Sequence, residues 1–148
     1  MLSLPPRNAL GHVQPHDHQE IKPTDGVIRR ISNHFLIFDA NGVQRVSSMA
    51  FSPASEARGG GLSVDLQNEI ESAGWVAAEF VTTPVWIGSV RFTAQKIREE
   101  GFQVGFNPLP PDNPFHGEVW GTFTTGKKKR LQKVAEWFVE IPGVLLKV

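Results

Sequence analysis

The side chains most able to hold or act on a ligand gather between Phe106 and Arg130, FNPLPPDNPFHGEVWGTFTTGKKKR. The loop Asn107–Pro114 carries four prolines in eight residues, so it is stiff and has little entropy left to lose on binding. His116 follows it. A histidine held by such a loop can act as an acid–base group or donate to an anion. The commoner use is to cap its own loop through a backbone hydrogen bond. Further on, Lys127, Lys128, Lys129 and Arg130 place four cations at the start of an expected helix, where the macrodipole is already positive. Each unfavourable charge costs about 0.3–1 kcal/mol before screening, and an anionic ligand would reverse that sign. Lys133 continues the patch one turn on. The plainer alternative is a solvated, solubility-conferring face.

Gly121 to Lys127 also spells G-x-x-x-x-G-K after an expected strand, the setting of a phosphate-cradling loop. Lys128 stands where Ser or Thr would hold Mg²⁺, Phe123 adds bulk, and too little chain follows to complete a nucleotide-binding sheet. It reads as a look-alike. A second set lies upstream. Arg29 and Arg30 are neighbours on an expected strand, so one of them faces the interior and needs a carboxylate, carbonyls or a phosphate. Asp65 and Glu118 are the carboxylates to examine. With Ser48 and Ser63 orienting a phosphate and His116 as acid–base group, these residues would make a small enzyme for a phosphorylated or nucleotide substrate. His12, His16, Asp17, His18 and Glu20 are metal-capable, but they sit in an extended arm where a site would cost ordering entropy, so no metal is expected. Trp75, Trp86, Trp120 and Trp137 read as core or interface residues.

The elements that must position these groups follow from periodicity and punctuation. Residues 1–25 hold four prolines among polar residues and read as an extended arm that lies against a surface, its own domain's or another chain's. From 26 to 148 the chain reads as one α+β domain. Val27–Ile31 is a strand, and Asp39–Gly42 a hairpin turn with Asn-Gly supplying positive φ. Ser48–Phe51 is a short strand and Ala54–Gly61, with three glycines, a mobile loop. Asp65–Ala73 is a helix closed by Gly74. Trp75–Val81 and Val85–Val90 read as strands, and Thr93 caps a helix ending before Gly101. Phe102–Phe106 and Gly117–Phe123 read as strands, the latter the last. Gly126–Glu140 reads as the final helix, with Leu131, Val134, Ala135 and Phe138 on its core side. The expected architecture is a curved mixed or antiparallel sheet with two short helices and one longer C-terminal helix.

Composition narrows the function classes. Fifteen basic and fifteen acidic residues cancel, so no global charge draws the chain to nucleic acid or membrane, and any electrostatic role needs a local patch. The absence of cysteine excludes disulfides and thiolate metal sites. No apolar stretch is long enough to span a bilayer and no leader pattern is visible, so a cytoplasmic protein is expected.

The segments Arg29-Arg30-Ile31, Ser47-Ser48-Met49-Ala50-Phe51, Leu62-Ser63-Val64-Asp65 and Asn113-Pro114-Phe115-His116 with Gly121 resemble a group of small, functionally uncharacterised bacterial proteins over residues 27 to about 140. Their shared pattern is R-R-I, S-S-x-A-F, L-S-V-D and N-P-x-H, and it implies a family but no activity. Arg29 or Arg30 with Ser47 and Ser48 is more faintly similar to ADP-ribosyltransferase-like domains of the RES type, in which a first-strand arginine holds dinucleotide phosphates. No matching catalytic glutamate is identifiable and the chain has no tyrosine. The expectation is therefore a binding module without a cofactor. It would dock a protein or nucleic-acid partner through the proline-rich loop, with Asn113 and His116, and through the basic patch Lys127–Lys133. The arm could pair with a second copy of the chain.

Overall fold

Alternation along Gly26–Ile31 decides the architecture. Val27 and Ile31 enter one apolar cluster while Ile28 enters a second, so this strand is covered on both sides. The computed structural model describes residues 2–53, 60–82 and 86–147. In chain order the elements are β1 (Gly26–Ile31), β2 (Leu36–Phe38), β3 (Gln44–Val46), β4 (Leu62–Leu66), α1 (Gln67–Ser72), α2 (Ala77–Phe80), β5 (Gly88–Thr93), α3 (Ala94–Glu99), β6 (Gln103–Phe106), β7 (His116–Trp120), α4 (Thr125–Val134) and β8 (Glu136–Val139), with 3-10 turns at Asn33–Phe35 and Ser48–Phe51. Six strands form one sheet in the order β6-β7-β4-β1-β5-β8, and β2-β3 form a separate hairpin. Every strand pairing is antiparallel, which makes this an α+β fold. Ile97 of α3 and Leu131 of α4 join the larger cluster with Val27 and Ile31, whereas Ile70 of α1 and Ala77 of α2 join the smaller one with Ile28. The sheet is thus the middle layer of three.

Five local expectations are corrected. Trp75–Val81 is not a strand, because Ala77–Phe80 forms α2 and leaves Trp75 and Val76 exposed. The Ala-Ala-Glu run favours helix once Ala77 and Val81 can bury against Ile28 and Ile70. Ser48–Phe51 is a 3-10 turn, with the Ser47 hydroxyl accepting from the Met49 amide, so a serine cap outweighs the apolar pattern. The final helix ends at Val134, where Ala135 turns extended, and Trp137, Phe138 and Val139 form β8 on the edge of β5. That aromatic and β-branched run prefers a pleated edge to a helix surface. β7 accordingly stops at Trp120 and is not the last strand, and three short helices accompany α4 instead of two. The loop read at Ala54–Gly61 lies at 54–59 outside the described residues, as does the first residue of the strand read at Val85–Val90.

The N-terminal arm packs on its own domain, with Val13 and Ile21 buried. β6 is an edge strand, and the arm covers its outward groups. The His18 amide donates to Val104 O (2.8 Å), Val104 N donates to the Asp17 carboxylate (3.0 Å) and Phe106 N to His16 Nε2 (3.3 Å). Asp17 is held by Arg98 at 2.9 Å. Gly105 permits this approach, since a Cβ there would lie 2.8 Å from the His16 ring and against Trp120. Edge groups satisfied in this way cannot template another strand.

Candidate functional site

Arg30 of the upstream set and Asn113 of the proline-rich loop meet around one buried carboxylate. Asp65 on β4 accepts from Arg30 Nε (2.8 Å) and Nη2 (3.2 Å) on β1, and from Asn113 Nδ2 (2.6 Å) in the β6–β7 loop. Arg30 also lies over the rings of Phe80 and Trp86, at 5.4 and 6.0 Å. Asn113 closes its own loop through Phe115 N (3.1 Å) and a backbone bridge to Leu109. His116 pairs across β4 with Asp65, and its Nδ1 lies 2.8 Å from Asn107 O, so the ring donates to the loop it follows. Arg30, Asp65 and Asn113 are thus engaged with one another, and the His116 ring with its own loop.

Arg29, one residue away, points to the opposite side of the sheet. It donates to the carbonyls of Ala50 (2.9 Å) and Ser63 (3.0 Å) and lies over Phe35 at 5.3 Å. Burial pulls its pKa down to about 10, against the opposing pull of the Asp65 charge, so it stays cationic at neutral pH. It ties the 3-10 turn at Ser48–Phe51 to the sheet. Strand alternation therefore divides the predicted phosphate-binding pair. Arg30, Asp65 and His116 lie with the α1–α2 side, while Arg29 lies with the α4 side, where Ser48 lines a groove. Ser63 contributes its carbonyl to Arg29.

The basic residues sort differently. Thr124 caps α4, its hydroxyl accepting from Lys127 N at 3.2 Å. The Lys127 ammonium donates to Glu100 O and sits 5.8 Å from the centre of Phe102, so it fastens α4 to the end of α3. Lys128 borders a recess with Gly121, Thr122 and Thr124. Lys129 and Lys133, at i and i+4, stand side by side on the exposed flank of α4, where like charges repel. They face the β2–β3 hairpin across a groove of about 760 Å³. Arg45 of β3 and Lys147 of the C-terminal tail supply two further cations, Ser47, Ser48 and Gln132 the polar lining, and Ile37 the one apolar side chain. No carboxylate lines it, and none of its four cations has an ion-pair partner among the described residues. Gln132 is buried under the groove and donates to Val46 O (2.8 Å) and Leu146 O (2.7 Å), which clips the tail to the hairpin. Arg130 turns to an adjoining groove with Lys96 and Glu136.

The stretch Phe106–Arg130, continuous in sequence, is thereby split in space. Its proline-rich loop and its helix start lie at opposite ends of β7, which is five residues and roughly 16 Å long. Asn113 and His116 belong to the Asp65 cluster, and Lys129 and Lys133 to the groove. Sequence reasoning missed Arg45, Lys147 and Gln132 as groove residues. The short run Val43-Gln44-Arg45-Val46 after the Asn-Gly turn was a readable signal for a returning strand that carries Arg45, but nothing local announces that the tail returns to the hairpin through Leu145 N and Gln44 O. In the arm, His16 Nε2 and His18 Nδ1 are 3.2 Å apart and His18 Nε2 is 3.2 Å from Glu20, whose carboxyl is held below the usual range by the side chain and amide of Ser3. Among the described residues these groups do not form a metal-ligand cluster, and no helix is long and apolar enough to cross a membrane. No family model, no curated protein and no solved structure matches the chain, so the motif resemblances rest on the residues quoted for them.

Proposed function

We propose that the chain is a binding module that docks a phosphate-bearing partner in the groove between α4 and the β2–β3 hairpin. The supporting observation is a four-cation groove, Arg45, Lys129, Lys133 and Lys147, without a lining carboxylate among the described residues, in a chain of zero formal net charge. Arg45, Ser47 and Ser48 from the hairpin side and Lys129 and Lys133 from the helix converge on a shared space, so one ligand would meet charge and hydroxyl donors together. Desolvation is modest in such an open groove, which suits reversible docking of an anion. The Arg30–Asp65–Asn113 cluster and His116 act in this reading as structural supports, because their polar groups satisfy one another. Titration with inorganic tripolyphosphate by calorimetry tests the reading against the variant Lys129→Glu/Lys133→Glu, both positions being exposed. Binding by the parent and loss of at least tenfold in the variant is expected, from the reversal of two of four charges. Equal heats for the two proteins would mark the groove as a solvated face.

A further inference from the structure

The neighbourhood of the groove favours one class of phosphate ligand. Lys133 and Lys147 line both the 760 Å³ groove and an adjoining one of about 460 Å³ that adds Lys96 and Arg130. Six cations from β3, α3, α4 and the tail therefore border one continuous path, with Glu100 and Glu136 on its second half alone. A single phosphate group would occupy one groove, whereas a linear chain of phosphates can use both. Four of the six are lysines, point charges on flexible stems that follow a backbone without demanding a fixed geometry. Among the described residues no aromatic side chain lines either groove, so none of them would stack on a base there.

Resting on the phosphate-groove reading, we infer that the ligand is the backbone of a single-stranded nucleic acid, held without regard to sequence. The strand lies along the path with its phosphates toward Lys129, Lys133 and Lys147 and its bases turned to solvent. On this inference a duplex is expected to bind more weakly than a single strand.

Fluorescence anisotropy with short labelled oligothymidylate, oligoadenylate and a duplex of equal length, at several salt concentrations, tests this. The two single strands are expected to bind within about threefold of each other and the duplex at least tenfold more weakly. Affinity should fall with salt with a log–log slope of about −3 to −4, the value for four to six neutralised phosphates on a single strand. Lys133→Gln/Lys147→Gln, which removes the two cations shared by both grooves, should weaken binding about tenfold and shallow that slope by about 1.4. Duplex binding as tight as single-strand binding, a difference above tenfold between the two homopolymers, or an unchanged slope in the variant would overturn the inference. Tripolyphosphate or long-chain polyphosphate binding without oligonucleotide binding would overturn it too, while leaving the phosphate groove standing. If neither tripolyphosphate nor oligonucleotide binds, both readings fall.

Discussion

Replacing Asp65 by asparagine tests whether the Arg30–Asp65–Asn113 cluster is a structural support. The Asp65 side chain is 4% exposed and that of Arg30 19%, and the pair is joined by two hydrogen bonds of 2.8 and 3.2 Å. Asparagine keeps the shape, removes the charge and turns an amide donor toward donors of Arg30 or Asn113. Removing one partner of a buried ion pair costs about 3–5 kcal/mol, and the partial hydration of Arg30 places this case near 3 kcal/mol. In a chain of this size that lowers Tm by roughly 6–12 °C. Arg30→Met should cost more, because it strands the better-buried carboxylate. The double variant Arg30→Met/Asp65→Asn should cost clearly less than the sum of the two single losses, since no charge is left unpaired. Urea unfolding followed by tryptophan fluorescence, with linear extrapolation and comparison of m-values, measures all four proteins. Losses under about 1 kcal/mol in both single variants, or simple additivity in the double, would refute the claim that this pair supports the fold.

Two further substitutions should act with opposite sign. Gln132→Leu leaves the Val46 and Leu146 carbonyls without their side-chain donor and should destabilise by about 1–3 kcal/mol, with faster amide exchange in the C-terminal tail as the second readout. Ser89→Ala removes the one buried side-chain oxygen without a partner among the described residues, and should raise stability by about 1 kcal/mol in the same urea assay.

What the sequence disclosed and what it hid differ in kind. Thr93 and Gly101 bound α3 through short-range chemistry, a hydroxyl accepting from Lys96 N and a positive φ of 88°, and both were readable as punctuation. The Asn41-Gly42 turn was readable for the same reason. That one of the two arginines would need Asp65 followed from the cost of a buried charge, and the structure gives Asp65 to Arg30 and two carbonyls to Arg29. The errors at Trp75–Val81 and Val134–Glu140 arose where helical and extended periods both fit a short apolar run, and a tertiary partner decided between them. α2 forms against Ile28 and Ile70, and β8 forms because β5 offers an open edge. Half of the groove was legible as Lys129 and Lys133. Arg45 and Lys147 were not, because they reach it through the pairing of Leu145 with Gln44 and Val46, a contact between residues a hundred positions apart.

Net neutrality conceals a division of charge that only the layering makes visible. Residues 67–82, spanning α1 and α2, carry Glu69, Glu71 and Glu79 and no lysine or arginine, whereas residues 125–135, spanning α4, carry Lys127, Lys128, Lys129, Arg130 and Lys133 and no acid. These two segments cover opposite sides of the sheet. Between these helical segments charge is therefore divided by sign across the middle layer. Under the phosphate-groove reading, this division would favour approach of a polyanion from the α4 side. Lys127 is spent on joining α4 to α3, but the remaining cations lie along the outer flank with like charges at i and i+4. That spacing gains nothing for the isolated fold. In the phosphate-groove reading, an anion between α4 and the hairpin would turn repulsion among the lysines into attraction to a common partner.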